Sequence, residues 1–253
     1  MHSATAIVSG TALALLVAVL VVVGGCSPIP TIGDVTVEET YQIGTAAASR
    51  GDHLLAIEAM NRVLTESPLH ELADDALLAL GDSHRAMRDY AMAEGDYRRL
   101  PSDYPRSPLV PDASYKLGLA YYDQSLPAPL DQEMTKRAIE QLERFAAQYP
   151  ESPLTPPARE RIAELRSRLA QKDYDTALLY ERLESAAAAR VYLEAVARDY
   201  ADTPWAPKAL LAQARSLGRE GKTAEAQEVY GRLIELYPAS EEAKAAAPEM
   251  GAR

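Results

Sequence analysis

Few side chains in these 253 residues are of the types that do chemistry. There is one cysteine, Cys26, which excludes an intramolecular disulfide and any multi-cysteine metal site. His53, His70 and His84 have no metal-ligand spacing among them, and His2 stands apart near the first residue. No serine stands in a nucleophile elbow, and none of the 13 glycines falls in a phosphate-loop spacing. The acids are interleaved with Arg and Lys three or four residues away, as in residues 160–168 (ERIAELRSR). That pattern is a solvated helix face rather than paired acid–base groups. A catalytic site, a metal and a cofactor are therefore not expected, and the chain reads as a non-enzyme.

Charge narrows the partners. Asp and Glu total 37 against 26 Lys and Arg, a formal net charge of −11, and all of these charges lie after residue 33. A nucleic-acid binder needs basic density to displace counterions from phosphate, so that class is excluded. A broad basic face for anionic headgroups is excluded as well.

What Cys26 can do is accept a lipid. Residues 12–23 (ALALLVAVLVVV) are an uncharged apolar run, followed by Gly24, Gly25 and Cys26. Twelve helical residues span about 18 Å, short of the ~30 Å hydrocarbon core, which suits a signal-peptide h-region. Val23-Gly24-Gly25-Cys26 resembles the bacterial lipobox. That resemblance implies a signal peptide over 1–25, a diacylglyceryl thioether on Cys26, and a palmitate-type acyl group on its new N-terminus. An uncleaved anchor and a buried free cysteine are the alternatives, and the absence of Lys or Arg before the run departs from the usual signal. Ser27 stands where Asp retains Gram-negative lipoproteins at the inner membrane, which implies transfer to the outer membrane. Residues 26–36 then form the lipidated cysteine and an extended tether.

The elements behind this anchor repeat. Aligned on Pro68, Pro105, Pro150, Ala201 and Pro238, the chain shows intervals of 37, 45, 51 and 37 residues. Twelve residues before each anchor stand Ala56, Ala93, Ala138, Ala189 and Ala226. Eight before stand Met60, Tyr97, Leu142, Leu193 and Tyr230, and five before stand Val63, Leu100, Phe145, Val196 and Leu233. Thirteen after the first four anchors stand the small residues Gly81, Gly118, Ala163 and Ala214. The spacing puts each apolar set on one helix face, small residues where paired helices meet, and proline at the end of the second helix. The pattern resembles the tetratricopeptide repeat. It predicts an all-α solenoid of about five helical hairpins, about ten helices, with repeats one and two over 37–110. Repeats three to five and a capping helix fill 111–247.

Two stretches interrupt the period. Residues 123–133 (DQSLPAPLDQE) form a Pro-containing loop inside repeat three. Residues 158–184 have no Pro or Gly and predict one long helix or two stacked in line. Most of the 14 tyrosines fall on repeat core positions. Tyr41, Tyr115 and Tyr122 instead map to first-helix positions lining a concave groove, where tyrosine suits an extended or helical peptide. Covering a repeat interface is the equal alternative for them.

A more specific resemblance runs from Cys26 to about Pro238. Asp131-Gln132, Thr135, Ala138, Phe145, Tyr149-Pro150 and Ser152 carry it, with Leu169-Ala170, Tyr174, Tyr180, Ala188-Ala189, Arg198-Asp199-Tyr200 and Asp202-Thr203. These residues, the loop and the long helix resemble lipoprotein component D of the bacterial outer-membrane β-barrel assembly machinery. Ala201 and Tyr192 depart from it, since many members carry Pro and Arg there. The resemblance implies an outer-membrane protein assembly factor, lipid-anchored on the periplasmic side of the outer membrane. Its partners would be unfolded outer-membrane proteins, a BamA-like β-barrel insertase and other assembly-machinery lipoproteins. Tyr41, Gln42, Thr45, Leu78, Asp82, Arg85, Tyr115, Lys116 and Tyr122 are the candidates for client contact. Arg182, Arg190 and Tyr192 are the candidates for the insertase. Another tetratricopeptide lipoprotein scaffold, a pilus-biogenesis pilotin or cell-division coordinator, is the competing reading.

Overall fold

The computed structural model describes residues 35–251; Cys26, the signal segment 1–25 and the tether up to residue 34 lie outside the described residues. Among them there are eleven helices. Hairpin one is α1 (Val37–Ser49) and α2 (His53–Glu66), and hairpin two is α3 (Ala73–Ala86) and α4 (Tyr90–Asp103). Hairpin three is α5 (Val110–Gln124) and α6 (Glu133–Gln148), and hairpin four is α7 (Thr155–Arg182) and α8 (Ala186–Asp199). Hairpin five is α9 (Trp205–Arg219) and α10 (Thr223–Leu236), and α11 (Glu241–Gly251) caps the stack. Each helix packs on its neighbours in sequence, and the first helices also touch across repeats, α1 on α3, α3 on α5 and α7 on α9. That is the expected solenoid.

Local chemistry sets the helix ends. Thr36 and Glu39 form a capping box at α1, and Asp52 and Asp89 accept from the backbone N–H of Leu55 and Met92 to start α2 and α4. Four hairpin turns close on one left-handed residue each: Gly51, Arg88, Glu184 and Gly221, with φ of 82°, 63°, 57° and 76°. Hairpin three uses the longer loop instead. At the other edge, the Tyr104 hydroxyl donates to Pro68 O (3.0 Å) and the Tyr237 hydroxyl to Ala201 O (2.9 Å). These bonds tie the end of one second helix to the preceding connection.

All fifteen residues at the three apolar repeat positions are buried. The small positions of the first three hairpins are true close approaches. A Cβ on Gly81 would lie 2.6 Å from Tyr97 Cε1, one on Gly118 2.5 Å from Leu142 Cδ2, and one on Gly44 2.7 Å from Met60 Cε. Hairpin four departs from the expected register. Ala163 is exposed, and the buried small residues facing α8 are Ala170 and Ala177, in one cluster with Leu193 and Val196. Continuous α7 is 28 residues long, and its first half serves α6 while its second half serves α8. Ala170 and Ala177 lie seven and fourteen residues beyond Ala163, about two and four turns, on the same face of α7 but packed on α8.

Candidate functional site

The first helices carry a ladder of polar contacts between successive repeats. His70 Nε2 meets Glu38 Oε1 at 2.9 Å, and Lys116 pairs with Asp82. Arg85 donates to Asp123 at 2.6 Å. The Tyr122 hydroxyl donates to Glu164 (2.7 Å) and accepts from Arg161 (2.9 Å), whose guanidinium lies 4.6 Å above the Tyr122 ring. Farther along, Arg166 grips Asp202 at 2.6 Å and Arg219 donates to Glu181 at 2.9 Å. These partners lie 32 to 42 residues apart, about one repeat.

The structure therefore joins four of the client candidates to one another or to their neighbours. Asp82 accepts from both Lys116 and the Tyr97 hydroxyl, 2.8 Å away. Arg85 and Asp82 border an open cavity of about 440 Å³ with Arg88, Tyr90 and Asp123. Burial pulls the Arg85 guanidinium down, but Asp123 and Tyr97 more than offset it and hold it above its ordinary value. Its Nε–H is buried without a hydrogen-bond partner. Burial, with Asp75 and Asp74 behind it, pushes the half-buried Tyr41 hydroxyl up. Tyr115 lies against Phe145 with ring centroids 5.4 Å apart, and Leu78 packs on the same core. Gln42 is exposed, and half-buried Thr45 donates to its carbonyl. Tyr41, Gln42 and Thr45 stand on α1, at the opposite end of the N-terminal repeats from Tyr122.

The insertase candidates lie on hairpin four. Arg182 ends α7 and is exposed. Arg190 pairs with Glu220 at the hairpin-five turn. Tyr192 stacks on Tyr180, with centroids 5.5 Å apart and planes 16° apart. Leu183 and Val191, about 65% exposed, belong to the same hairpin. The sequence reading missed Asp123, Arg161 and Glu164, which complete the ladder. The signal that finds them is opposite charge recurring one repeat apart on first helices.

Among the described residues no group of three or more His, Cys, Asp or Glu could hold a metal ion. No described helix is long and apolar enough to cross a membrane. Fold and surface define an all-helical repeat protein of the tetratricopeptide type. The family described as outer membrane lipoprotein (YfiO) matches residues 33–233, and the chain belongs to that family. It is 27% identical over 225 residues to the outer membrane protein assembly factor BamD of Vibrio cholerae, covering 85% of this chain and 93% of that one. It is also 27% identical over 174 residues to the BamD of Caulobacter vibrioides, covering 69% of this chain and 57% of that protein's length. A solved structure with tetratricopeptide-like repeats, a kinesin light chain from Podosopora anserina, aligns with 79% of this chain and 93% of its own. Its TM-score is 0.41 at 16% identity.

Proposed function

We propose that this chain is an outer-membrane protein assembly factor. The lipid on Cys26 holds it at the periplasmic face of the outer membrane, and its repeats bind unfolded outer-membrane proteins and a β-barrel insertase. The observation that carries this reading is the alignment with an assembly factor through nearly the full length of both chains. The first-helix face of repeats one to three suits the client. It offers Tyr41 and Tyr122 and the exposed amide of Gln42. Flat amphipathic rings with few rotors bind extended peptide at low entropy cost. Hairpin four, with Arg182, Arg190 and Tyr192, suits the insertase, since the two ends of a solenoid can serve two partners.

The test is affinity purification of the full-length, membrane-extracted protein and identification of what accompanies it. Recovery of a large β-barrel protein with periplasmic repeat domains is the expected result. Recovery of pilus or division proteins without it overturns the reading. Gln42→Arg addresses the client face without touching the internal ion pairs. It should weaken binding of a C-terminal strand peptide from an outer-membrane protein while leaving insertase recovery unchanged.

A further inference from the structure

On the side of α5 away from Lys116 and Asp123 runs a groove of about 410 Å³, banked by α4 and α6. The 100° helical step places Ser114, in its lining, opposite those two ladder residues and Leu117 about 100–120° from them. Its lining mixes the apolar Pro101, Val110, Leu117 and Tyr149 with the polar Ser114, Gln141 and Gln148, and carries Arg98 and Arg144. No carboxylate lines it. In a chain of net charge −11 that is unusual. Four other surface cavities each contain at least one acid: Glu164, Asp173, Asp123 and Asp103 respectively.

The two arginines are only partly engaged. Arg98 donates to the Tyr121 hydroxyl and pairs with Glu94 on its own helix, and Arg144 pairs with Glu140 on its own helix. Both acids lie outside the groove lining, and the Arg side chains are 57% and 61% exposed. A guanidinium has five N–H donors, so each keeps donors for a further carboxylate. Pro101 sets this groove apart from the other repeats. It sits inside α4 and has no N–H, so the carbonyl of groove residue Tyr97 lacks its helical donor. No other repeat has proline at that position, where Leu64, Ala146, Ala197 and Ile234 stand.

We propose that this groove is a second docking site, separate from the first-helix face, for an extended segment of a partner polypeptide that alternates acidic and apolar side chains. Its carboxylates meet Arg98 and Arg144, and its apolar side chains lie against Pro101, Val110 and Leu117. Charge complementarity selects this occupant, because the groove presents two arginines and no acid on an acidic chain.

The test is fluorescence anisotropy of a labelled hexapeptide alternating Leu and Glu. It is titrated with the full-length chain in detergent, with empty micelles subtracted, beside a hexapeptide alternating Leu and Gln. The Glu peptide should bind about tenfold tighter. Arg144→Glu should abolish that preference without lowering the melting temperature, since Arg144 is largely exposed. Arg159→Glu, an exposed arginine outside the groove, should leave the preference intact. Val110→Ser should weaken both peptides alike. Equal affinity for the two peptides overturns the proposal. So do equal losses in R144E and R159E, which would leave only the general field of the protein. Displacement of the peptide by inorganic phosphate at matched ionic strength also overturns it, by making the groove a simple anion site. None of these outcomes bears on recovery of the β-barrel partner, so this proposal and the assembly-factor reading fail separately.

Discussion

Hairpins two and five are built on the same frame and filled with opposite chemistry. Tyr97 and Tyr230 occupy equivalent positions, as do Tyr104 and Tyr237, and Ala93 and Ala226. Inside that frame, hairpin two buries His84 and Asp96, 8% and 5% exposed, with His84 Nδ1 and Asp96 Oδ2 2.6 Å apart. The equivalent residues of hairpin five are Leu217 and Val229, 3% and 6% exposed. Gly81 lets the Tyr97 ring approach α3, whereas Ala214 stands in its place in hairpin five. Tyr97 donates to Asp82 of its own hairpin, and Tyr230 donates outward to Glu249 of the capping helix. The difference teaches that small and large apolar positions set the repeat geometry, while the polar content between them is free to vary. A middle hairpin can spend its polar groups internally and on its neighbour, while the last one uses Tyr230 and Arg215 to hold α11 through Glu249.

The largest test of this comparison rewrites hairpin two as hairpin five. Asp96→Val alone leaves a buried imidazole nitrogen without its partner and should cost about 1–3 kcal/mol. Adding His84→Leu rebuilds the apolar pair and should recover most of that loss, since a buried polar pair exchanged for well-packed apolar groups is often neutral or better. A double-mutant cycle by urea denaturation measures the coupling. Additive single effects would show that the 2.6 Å contact contributes nothing specific.

The same pair makes a pH prediction. Burial pushes the Asp96 carboxyl up, with His84 on α3 and Arg99 on α4 opposing the shift and Asp89 adding to it. The folded state then holds this proton more tightly than the unfolded chain does. Its contribution is complete below the ordinary carboxylate range, about pH 4, and is lost as pH rises through the raised folded value. Asp96→Asn should remove that part of the slope in stability above about pH 4. An unchanged slope would place the pH dependence on other groups.

Much of this frame was legible because helix packing writes periodic apolar and small residues into the sequence. Every alanine twelve residues before a repeat anchor is fully or nearly fully buried. The register of α7 was not legible for a physical reason. Its fourteen added residues make about four turns, so the helix face continues and Ala163, Ala170 and Ala177 look alike from sequence. Of the candidate client face, the tyrosines and Asp82, Arg85 and Lys116 could be placed on first helices by spacing. That Asp82 meets Lys116 and Arg85 meets Asp123 was legible only as opposite charge recurring one repeat apart, since spacing does not choose which long side chains meet. Asp96 had a readable signal, an acid aligned with Val229 of another repeat, beside a histidine aligned with Leu217.

The close approaches should grade by what the new methyl meets. Gly81→Ala drives a Cβ into the rigid ring of Tyr97, whose hydroxyl is held by Asp82. Overpacking of about 1–3 kcal/mol there exceeds the ~1 kcal/mol that Ala gains over Gly in a helix. Gly44→Ala meets the terminal methyl of Met60, which can swing aside, and the fixed Cβ of Ala59 at 3.0 Å, so it should cost less than Gly81→Ala. Thermal melting of the two variants decides. Equal shifts would mean that the ring of Tyr97 is as free to move as a methionine end.

The smallest effect concerns the turns. Arg88 and Gly221 close hairpins two and five at φ of 63° and 76°. An L side chain in that region carries roughly 1–2 kcal/mol of steric cost, whereas glycine carries none but loses more chain entropy on folding. Arg88→Gly should therefore stabilise by about 0.5–1 kcal/mol at most, and Gly221→Arg should destabilise by a similar amount. Making both changes in one chain exchanges the two turn residues and should leave the melting temperature close to that of the parent. Loss in the exchanged chain would locate a contribution from Arg88 itself, at the rim of the cavity it shares with Asp82 and Arg85, rather than in the turn geometry.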